Sequence, residues 1–217
     1  VNGLQMVLFP TILILMLGVT PSNYGLAQVS LLAPSIFLIV LGGTIADKTD
    51  TRILLAIVHF LATFPLLLIL FSIQFGFLSF QVMIIYGLAM GSISAFVIPS
   101  RDALLTTISE GEIQKTVVIA MLTQFGFQLT GMVVGGLADS VGVMPLIIAQ
   151  GVSLLIGCYY ALKLPKPKII KQSLDIRKIK DEITEAFVEV RKSKEIFPVS
   201  ISMIMVALCF MGNNLLT

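Results

Sequence analysis

Two long apolar runs, residues 26–46 and 53–71, stand on either side of a short charged turn. Neither run contains Asp, Glu, Lys or Arg. A helix needs about 20 apolar residues to cross about 30 Å of hydrocarbon, and both runs have that length. Because so few residues separate them, the two helices must run antiparallel. The sequence therefore predicts a tight hairpin of membrane helices, with Asp50 as the N-cap of the second one.

The composition agrees with a chain immersed in lipid. Hydrophobic residues make up 57% of the 217 residues and charged residues 12%, which is typical of an integral membrane protein. The net charge of +2 gives no reason to expect a nucleic-acid partner. The two cysteines, Cys158 and Cys209, each lie in an apolar run without Cys or His at ligand spacing, so no disulfide, metal site or cofactor is predicted.

Further apolar runs extend the hairpin into a series of antiparallel spans joined by short, turn-forming segments. The predicted spans are TM1 (4–19), TM2 (26–46), TM3 (53–71), TM4 (80–98), TM5 (116–137), TM6 (144–162) and an incomplete TM7 (from 198).

The positive charges predict an orientation. All fourteen Lys and Arg residues fall after TM2, TM4 or TM6, and none follows TM1, TM3 or TM5. Loops that carry Lys and Arg remain on the cytoplasmic side. The turn after TM2, the segment 99–115 and the segment 163–194 are therefore expected inside, and residues 175–194 show the spacing of an amphipathic surface helix.

The charged turn resembles the TM2–TM3 loop of the major facilitator superfamily, whose pattern is Gly-x-x-x-Asp-(Arg/Lys)-x-Gly-(Arg/Lys)-(Arg/Lys). The matching residues are Gly43, Asp47, Lys48 and Arg52. Asp50 stands at the second glycine, as is frequent in the branch that resembles siderophore and macrolide exporters, and Thr51 stands at the first of the two final cations. The resemblance implies a gating role for Gly43, Asp47, Lys48, Asp50 and Arg52.

Two further stretches resemble the same exporters. Gly131, Gly135 and Gly136 fit the antiporter pattern Gly-Pro-x-x-Gly-Gly, with Met132 in place of proline. The segment around Arg101 and Asp102 is similar to the stretch after TM4. The resemblance implies that these two residues are partners at the inner gate, and that Arg52 replaces the missing cation and pairs with Asp102.

The resemblance also implies the architecture of an all-α membrane protein of the major facilitator type. Residues 1–163 are expected to form the N-terminal six-helix transmembrane bundle, 164–196 a cytoplasmic linker with an amphipathic helix, and 197–217 the start of a C-terminal half. Both ends are interpreted as truncations, so the remaining C-terminal half is an expected partner and the chain alone is expected not to transport.

Polar residues inside the spans are the candidates for a binding cavity. Gln124 and Gln128 are four residues apart and thus share one face of TM5. The facilitator fold places TM1, TM2, TM4 and TM5 around the central cavity, so Gln5, Gln28, Gln124 and Gln128 are candidate lining residues. Hydrogen bonding between helices is an equally good interpretation for each of them. His59, in TM3, is interpreted as a packing residue in preference to a proton relay.

These expectations favour a secondary transporter of the bacterial cytoplasmic membrane over an enzyme. The predicted activity is proton-coupled efflux of a small amphipathic or drug-like molecule by alternating access. No catalytic residues are assigned. The alternative is a lipid-modifying membrane enzyme that would use the acids gathered at the inner face, which are Asp47, Asp50, Asp102, Glu110 and Glu112, together with Arg101.

Overall fold

The computed structural model of the chain describes residues 2–109 and 113–164, together with Lys166, Pro198 and Ser202. The chain divides into two compact units, Val1–Lys171 and Gln172–Thr217. All helices with described bounds lie in the first unit. The expected amphipathic helix and all of TM7 except Pro198 and Ser202 fall outside the described residues.

The described regular structure is entirely helical. The elements are α1 (Asn2–Thr11), which continues as a π-helical stretch (Ile12–Met16), α2 (Pro21–Lys48), α3 (Thr51–Leu61), α4 (Thr63–Gln74), α5 (Phe80–Ile108), α6 (Ile113–Gly136), α7 (Ala138–Val141) and α8 (Val143–Lys163). Five described segments are long and apolar enough to cross a membrane, with α3 and α4 counted as one. The segment Gly3–Met16 is apolar but shorter. The chain is thus an integral, multi-pass membrane protein with an all-helical bundle.

TM3 is a broken helix in the structure. α3 ends at Leu61 and α4 begins at Thr63, and Pro65 lies in the first turn of α4. Proline has no N–H group, so it cannot donate to the carbonyl of the residue four positions earlier, which is Leu61. The break thus lies at the hydrogen bond that Pro65 cannot make.

α5 is longer than the sequence predicts. It runs to Ile108 and contains Pro99, so Arg101 and Asp102 lie on its last turns and not in a loop. Proline inside a membrane helix is tolerated because neighbouring groups satisfy the freed carbonyl.

Close backbone contacts at small residues set the helix pairing. The most extensive pairs are α2 with α5 and α1 with α6, and α3 packs on both α5 and α8. Glycine lets two helices approach within van der Waals contact of their backbones. In the first pair, a Cβ added at Gly42 would collide with the Ala95 carbonyl oxygen, and one added at Gly91 would collide with the Leu31 carbonyl oxygen.

The core of the bundle forms two clusters. The larger one joins α1, α4, α5 and α8 around residues such as Leu13, Ile69, Met83 and Leu154. The smaller one joins α3, α5 and α8 around Leu55, Leu104 and Ala161. α6 adds almost nothing to either cluster, since no residue from 114 to 134 is buried. Its outward side is therefore available to lipid, to solvent or to a partner.

Candidate functional site

The charged turn between α2 and α3 is organised by Asp50. As expected, Asp50 is the N-cap of α3, and its Oδ1 accepts from the backbone N–H of Arg52 at 3.1 Å. The Arg52 guanidinium folds back on the same carboxylate, with Nε to Oδ1 at 3.0 Å and Nη2 to Oδ2 at 2.7 Å. The exposed fractions of the Arg52 and Asp50 side chains are only 12% and 15%. The hydrogen bonds from the Arg52 side chain hold the pKa of Asp50 below its ordinary value.

Arg52 also connects this turn to the end of α8. Its Nη1 donates to the carbonyl oxygen of Leu164 at 3.0 Å, and Leu164 is the C-cap of α8. Helix C-termini expose unpaired carbonyls and carry a partial negative charge, so a guanidinium there is favourable. One side chain thus joins the beginning of α3 to the end of α8.

The expected ion pair between Arg52 and Asp102 is wrong. Arg52 pairs with Asp50, and Asp102 pairs with its neighbour Arg101 at 2.8 Å. Each step of one residue turns a helix by about 100°. Arg52 is one position beyond the expected cation, and its side chain is directed to α8. The Thr51 side chain points into the bundle, and Thr51 is only 4% exposed.

Other residues of the turn differ in their surroundings. Asp47 is exposed and Lys48 half-buried at the end of α2. The close helix contact beside this turn is at Gly42, whereas a Cβ added at Gly43 would meet no described atom within 4 Å. The Thr51 Oγ1 is buried and has no hydrogen-bond partner among the described residues.

A second polar group joins α5 to α6. The Arg101 Nε and Nη2 atoms both donate to the Asp102 Oδ1, at 3.0 and 2.8 Å, and Nη1 donates to the Gln124 Oε1. Gln124 lies at the middle of α6, so this guanidinium reaches toward the centre of the span and not only toward its end. The exposed fractions of Arg101 and Asp102 are 41% and 54%, which makes this an open cluster, unlike the Asp50–Arg52 pair.

The structure separates the four glutamines that were candidates for a cavity. Gln128 is half-buried and donates through Nε2 to the Met6 Sδ of α1 at 3.2 Å. Gln5, one residue before Met6, is half-buried on α1. Gln28 donates within α2 to the Tyr24 hydroxyl at 2.8 Å. The structure therefore ties Gln128 to α1 and Gln124 to α5, whereas the bond of Gln28 stays within its own helix.

Two of the three TM5 glycines form the contact between α6 and α1. A Cβ at Gly131 would lie 2.8 Å from the Leu4 backbone nitrogen, and one at Gly135 would lie 2.8 Å from the Val7 Cβ. Gly136 faces no described atom within 4 Å. Gly131 and Gly135 therefore act in packing here.

The sequence interpretation missed a buried polar pair in the core. Gln150 of α8 is 2% exposed and Tyr86 of α5 is 3% exposed, and the two side chains lie close to each other. Tyr86 also stacks on Phe9, with ring centroids 5.9 Å apart. The Gln150 Nε2 has no partner among the described residues. The sequence shows a tyrosine in one apolar run and a glutamine in another. Nothing in their spacing indicates that these two side chains lie close together in the fold.

His59 lies between α3 and α8. Its Nδ1 is 2.7 Å from the Leu55 carbonyl oxygen, which can only accept, so Nδ1 carries the proton. The ring packs on Gly157, where an added Cβ would lie 2.9 Å from the His59 Cδ2. These contacts fit the packing interpretation.

Comparisons with known proteins identify the family. The sequence profile described as Major Facilitator Superfamily matches residues 1–217. Searches of curated proteins and of solved structures found no match. The match covers the whole chain, and the described residues form an all-helical bundle with five apolar segments of spanning length. The chain belongs to the major facilitator superfamily, a family of secondary transporters.

Proposed function

We propose that the chain supplies one half of a proton-coupled exporter of small amphipathic molecules in a bacterial cytoplasmic membrane. The observation that carries this proposal is the polar face of α6. Gln124 is exposed at the centre of α6, and Gln128 lies one turn further along. Arg101 extends the same polar surface from α5.

Burial in hydrocarbon is costly for such groups, which supports a watery pathway at this face. An amide without hydrogen-bond partners costs several kcal/mol in an apolar medium, and charged residues within spans face a cavity or a protein interior. We therefore place the pathway on the side of α6 that faces away from the core, opposite a second bundle. Alternating access would then come from rocking of the two bundles about this face.

The charged residues at the end of α2 and the pair on α5 would serve as gates in this mechanism. Asp47 is exposed and Lys48 half-buried at the end of α2, where both would meet the second bundle. Arg101 and Asp102 form an exposed pair, whose net contribution to stability at a surface is about 0–1 kcal/mol. A pair of that strength can bias one state of a transporter without holding the fold together. Proton coupling rests on the resemblance to exporters.

The test is accumulation of an amphipathic fluorescent dye, Hoechst 33342, in bacteria that lack their own drug exporters. Cells expressing the full-length gene product should accumulate less dye, and a protonophore should abolish the difference. The double variant Gln124→Leu/Gln128→Leu should lose the effect. Gln81→Leu, an exposed glutamine on α5, is the matched control and should retain it.

Two outcomes would contradict the proposal. Dye extrusion that survives the protonophore would remove proton coupling. Full extrusion by the double variant would remove the α6 face from the pathway. Two of the acids on which the alternative of a lipid-modifying enzyme rests, Asp50 and Asp102, are held by arginines. A covalently altered lipid in membranes that contain the protein would favour that alternative.

A further inference from the structure

The two carboxamides on α6 have orientations that their neighbours determine. The Gln124 side chain meets the Arg101 Nη1. Arginine has donors and no acceptor, so the Gln124 oxygen must face it. The Gln124 Nε2, with its two N–H donors, is then the free end of that carboxamide.

Gln128 has the opposite polarity. Its neighbour is the Met6 Sδ at 3.2 Å, and a thioether can accept a hydrogen bond but cannot donate one. The Gln128 Nε2 must therefore face the sulfur, and Oε1 is the free end. Within the described part of the chain, no hydrogen bond from the Gln124 Nε2 or to the Gln128 Oε1 is observed.

The two glutamines are neighbours on the helix surface. Residues four apart lie on one face with Cβ atoms about 6 Å apart, so the residue with the free donor and the residue with the free acceptor are one turn from each other. Met121 and Phe125, one turn before Gln124 and Gln128 respectively, are more than half exposed. The surface thus offers one donor and one acceptor within an apolar setting.

The charge of the surrounding site is balanced. Two of the Arg101 nitrogens donate to Asp102, so the guanidinium beside Gln124 already has a counter-ion. A ligand that binds here need not bring a charge of its own.

We propose that this pair of glutamines selects neutral, apolar molecules that carry a secondary amide. The amide carbonyl would accept from the Gln124 Nε2, and the amide N–H would donate to the Gln128 Oε1. The inference rests on the proposed function, because it takes this face of α6 to be the substrate pathway. It adds the chemical class that the face recognises.

The test compares two probes that differ only at the amide. Pyrenebutyric acid N-octylamide has the N–H group, and pyrenebutyric acid octyl ester lacks it. Binding is measured as retention by nanodiscs that contain the full-length protein, relative to empty nanodiscs, without any gradient. The natural protein should bind the amide about tenfold more tightly than the ester, as expected for one hydrogen bond at a partly dehydrated acceptor.

Four variants assign the effect to individual atoms. Gln128→Leu should bring the amide-to-ester ratio near one, whereas Gln128→Glu keeps an acceptor and should preserve the preference. Gln124→Leu should weaken both probes equally and leave the ratio unchanged. Gln114→Leu, an exposed glutamine at the start of α6, should change nothing.

The outcomes separate this inference from the proposed function. Equal binding of the two probes by the natural protein, or a ratio near ten in Gln128→Leu, would overturn amide recognition even if dye export remains proton-dependent. A ratio near ten that collapses in Gln128→Leu and survives in Gln128→Glu supports it even if the dye is not exported.

Discussion

Thr51 is the residue at which this chain departs most clearly from the pattern of its family. The pattern has a cation there, and the chain has a hydroxyl that is buried without a described hydrogen-bond partner. A buried polar group left unpaired costs about 1–3 kcal/mol. This position is therefore a local weakness in the turn that Asp50 and Arg52 otherwise hold in place.

Replacing Thr51 by valine should stabilise the protein. Valine keeps the branched shape and removes the unpaired hydroxyl, so the free energy of unfolding should rise by about 1 kcal/mol, read as a higher midpoint in thermal unfolding of the purified protein. Thr44→Val is the control, since the Thr44 hydroxyl already bonds to the Val40 carbonyl at 3.0 Å. An unchanged or lower midpoint for Thr51→Val would show that the hydroxyl has a partner.

The sequence predicted the N-cap of α3 but not the groups to which the Arg52 side chain binds. Asp50 was identifiable because a carboxylate before a helix start satisfies exposed N–H groups. The partner of Arg52 was not, because it includes a backbone carbonyl 112 positions away in sequence. Backbone carbonyls occur at every residue, so composition gives no signal for such a bond.

At the scale of helices, the glycines show which surfaces meet. α1 packs on α6 and α2 packs on α5, and in both pairs glycine removes the side chain where the backbones are closest. In terms of the predicted spans, TM1 packs on TM5 and TM2 packs on TM4. If TM1–TM3 and TM4–TM6 are the two units of an inverted repeat, the first helix of each unit packs on the second helix of the other.

Alanine at Gly131 and at Gly136 should have opposite effects. At Gly131 the new Cβ would meet the Leu4 backbone at 2.8 Å, and overpacking of this kind costs about 1–3 kcal/mol. That outweighs the gain of about 0.4–1 kcal/mol from restricting the unfolded chain. At Gly136 only the gain remains. Thermal midpoints should fall for Gly131→Ala and stay level or rise for Gly136→Ala; equal changes would place the helix contact elsewhere.

The sequence predicted the existence of the helices better than their ends. Long apolar runs are a strong signal, and the runs predicted as TM2, TM4 and TM6 lie within α2, α5 and α8, whereas the run predicted as TM1 extends beyond the helical stretch that ends at Met16. Pro99 suggested a loop where α5 continues, and Pro65 gave no warning of the break between α3 and α4. A proline has a different effect in each place because neighbouring helices, which the sequence alone does not position, decide whether its lost hydrogen bond is tolerated.

For the whole molecule, the distribution of positive charge sets a testable orientation. The turn after α4 and the turn before α8 each contain a glycine with positive φ, Gly76 at 70° and Gly142 at 88°. Neither turn carries a Lys or Arg, and loops without these residues are the ones expected on the outer side. The α2–α3 turn should lie on the opposite side of the membrane.

Labelling of single-cysteine variants tests this orientation. In a background with Cys158→Ser and Cys209→Ser, Asn23→Cys, Ser79→Cys and Ser140→Cys should react with an impermeant maleimide in intact cells. Thr49→Cys should react only after the cells are opened. The reverse pattern, with labelling at position 49 alone in intact cells, would invert the proposed topology.

The bond from Arg52 to Leu164 gives the bundle a mechanical property. Leu164 is the point at which the chain leaves α8, and the guanidinium that holds its carbonyl is itself fixed to Asp50 by two further hydrogen bonds. A force applied to the chain at Leu164 would therefore act on the start of α3 as well as on the end of α8.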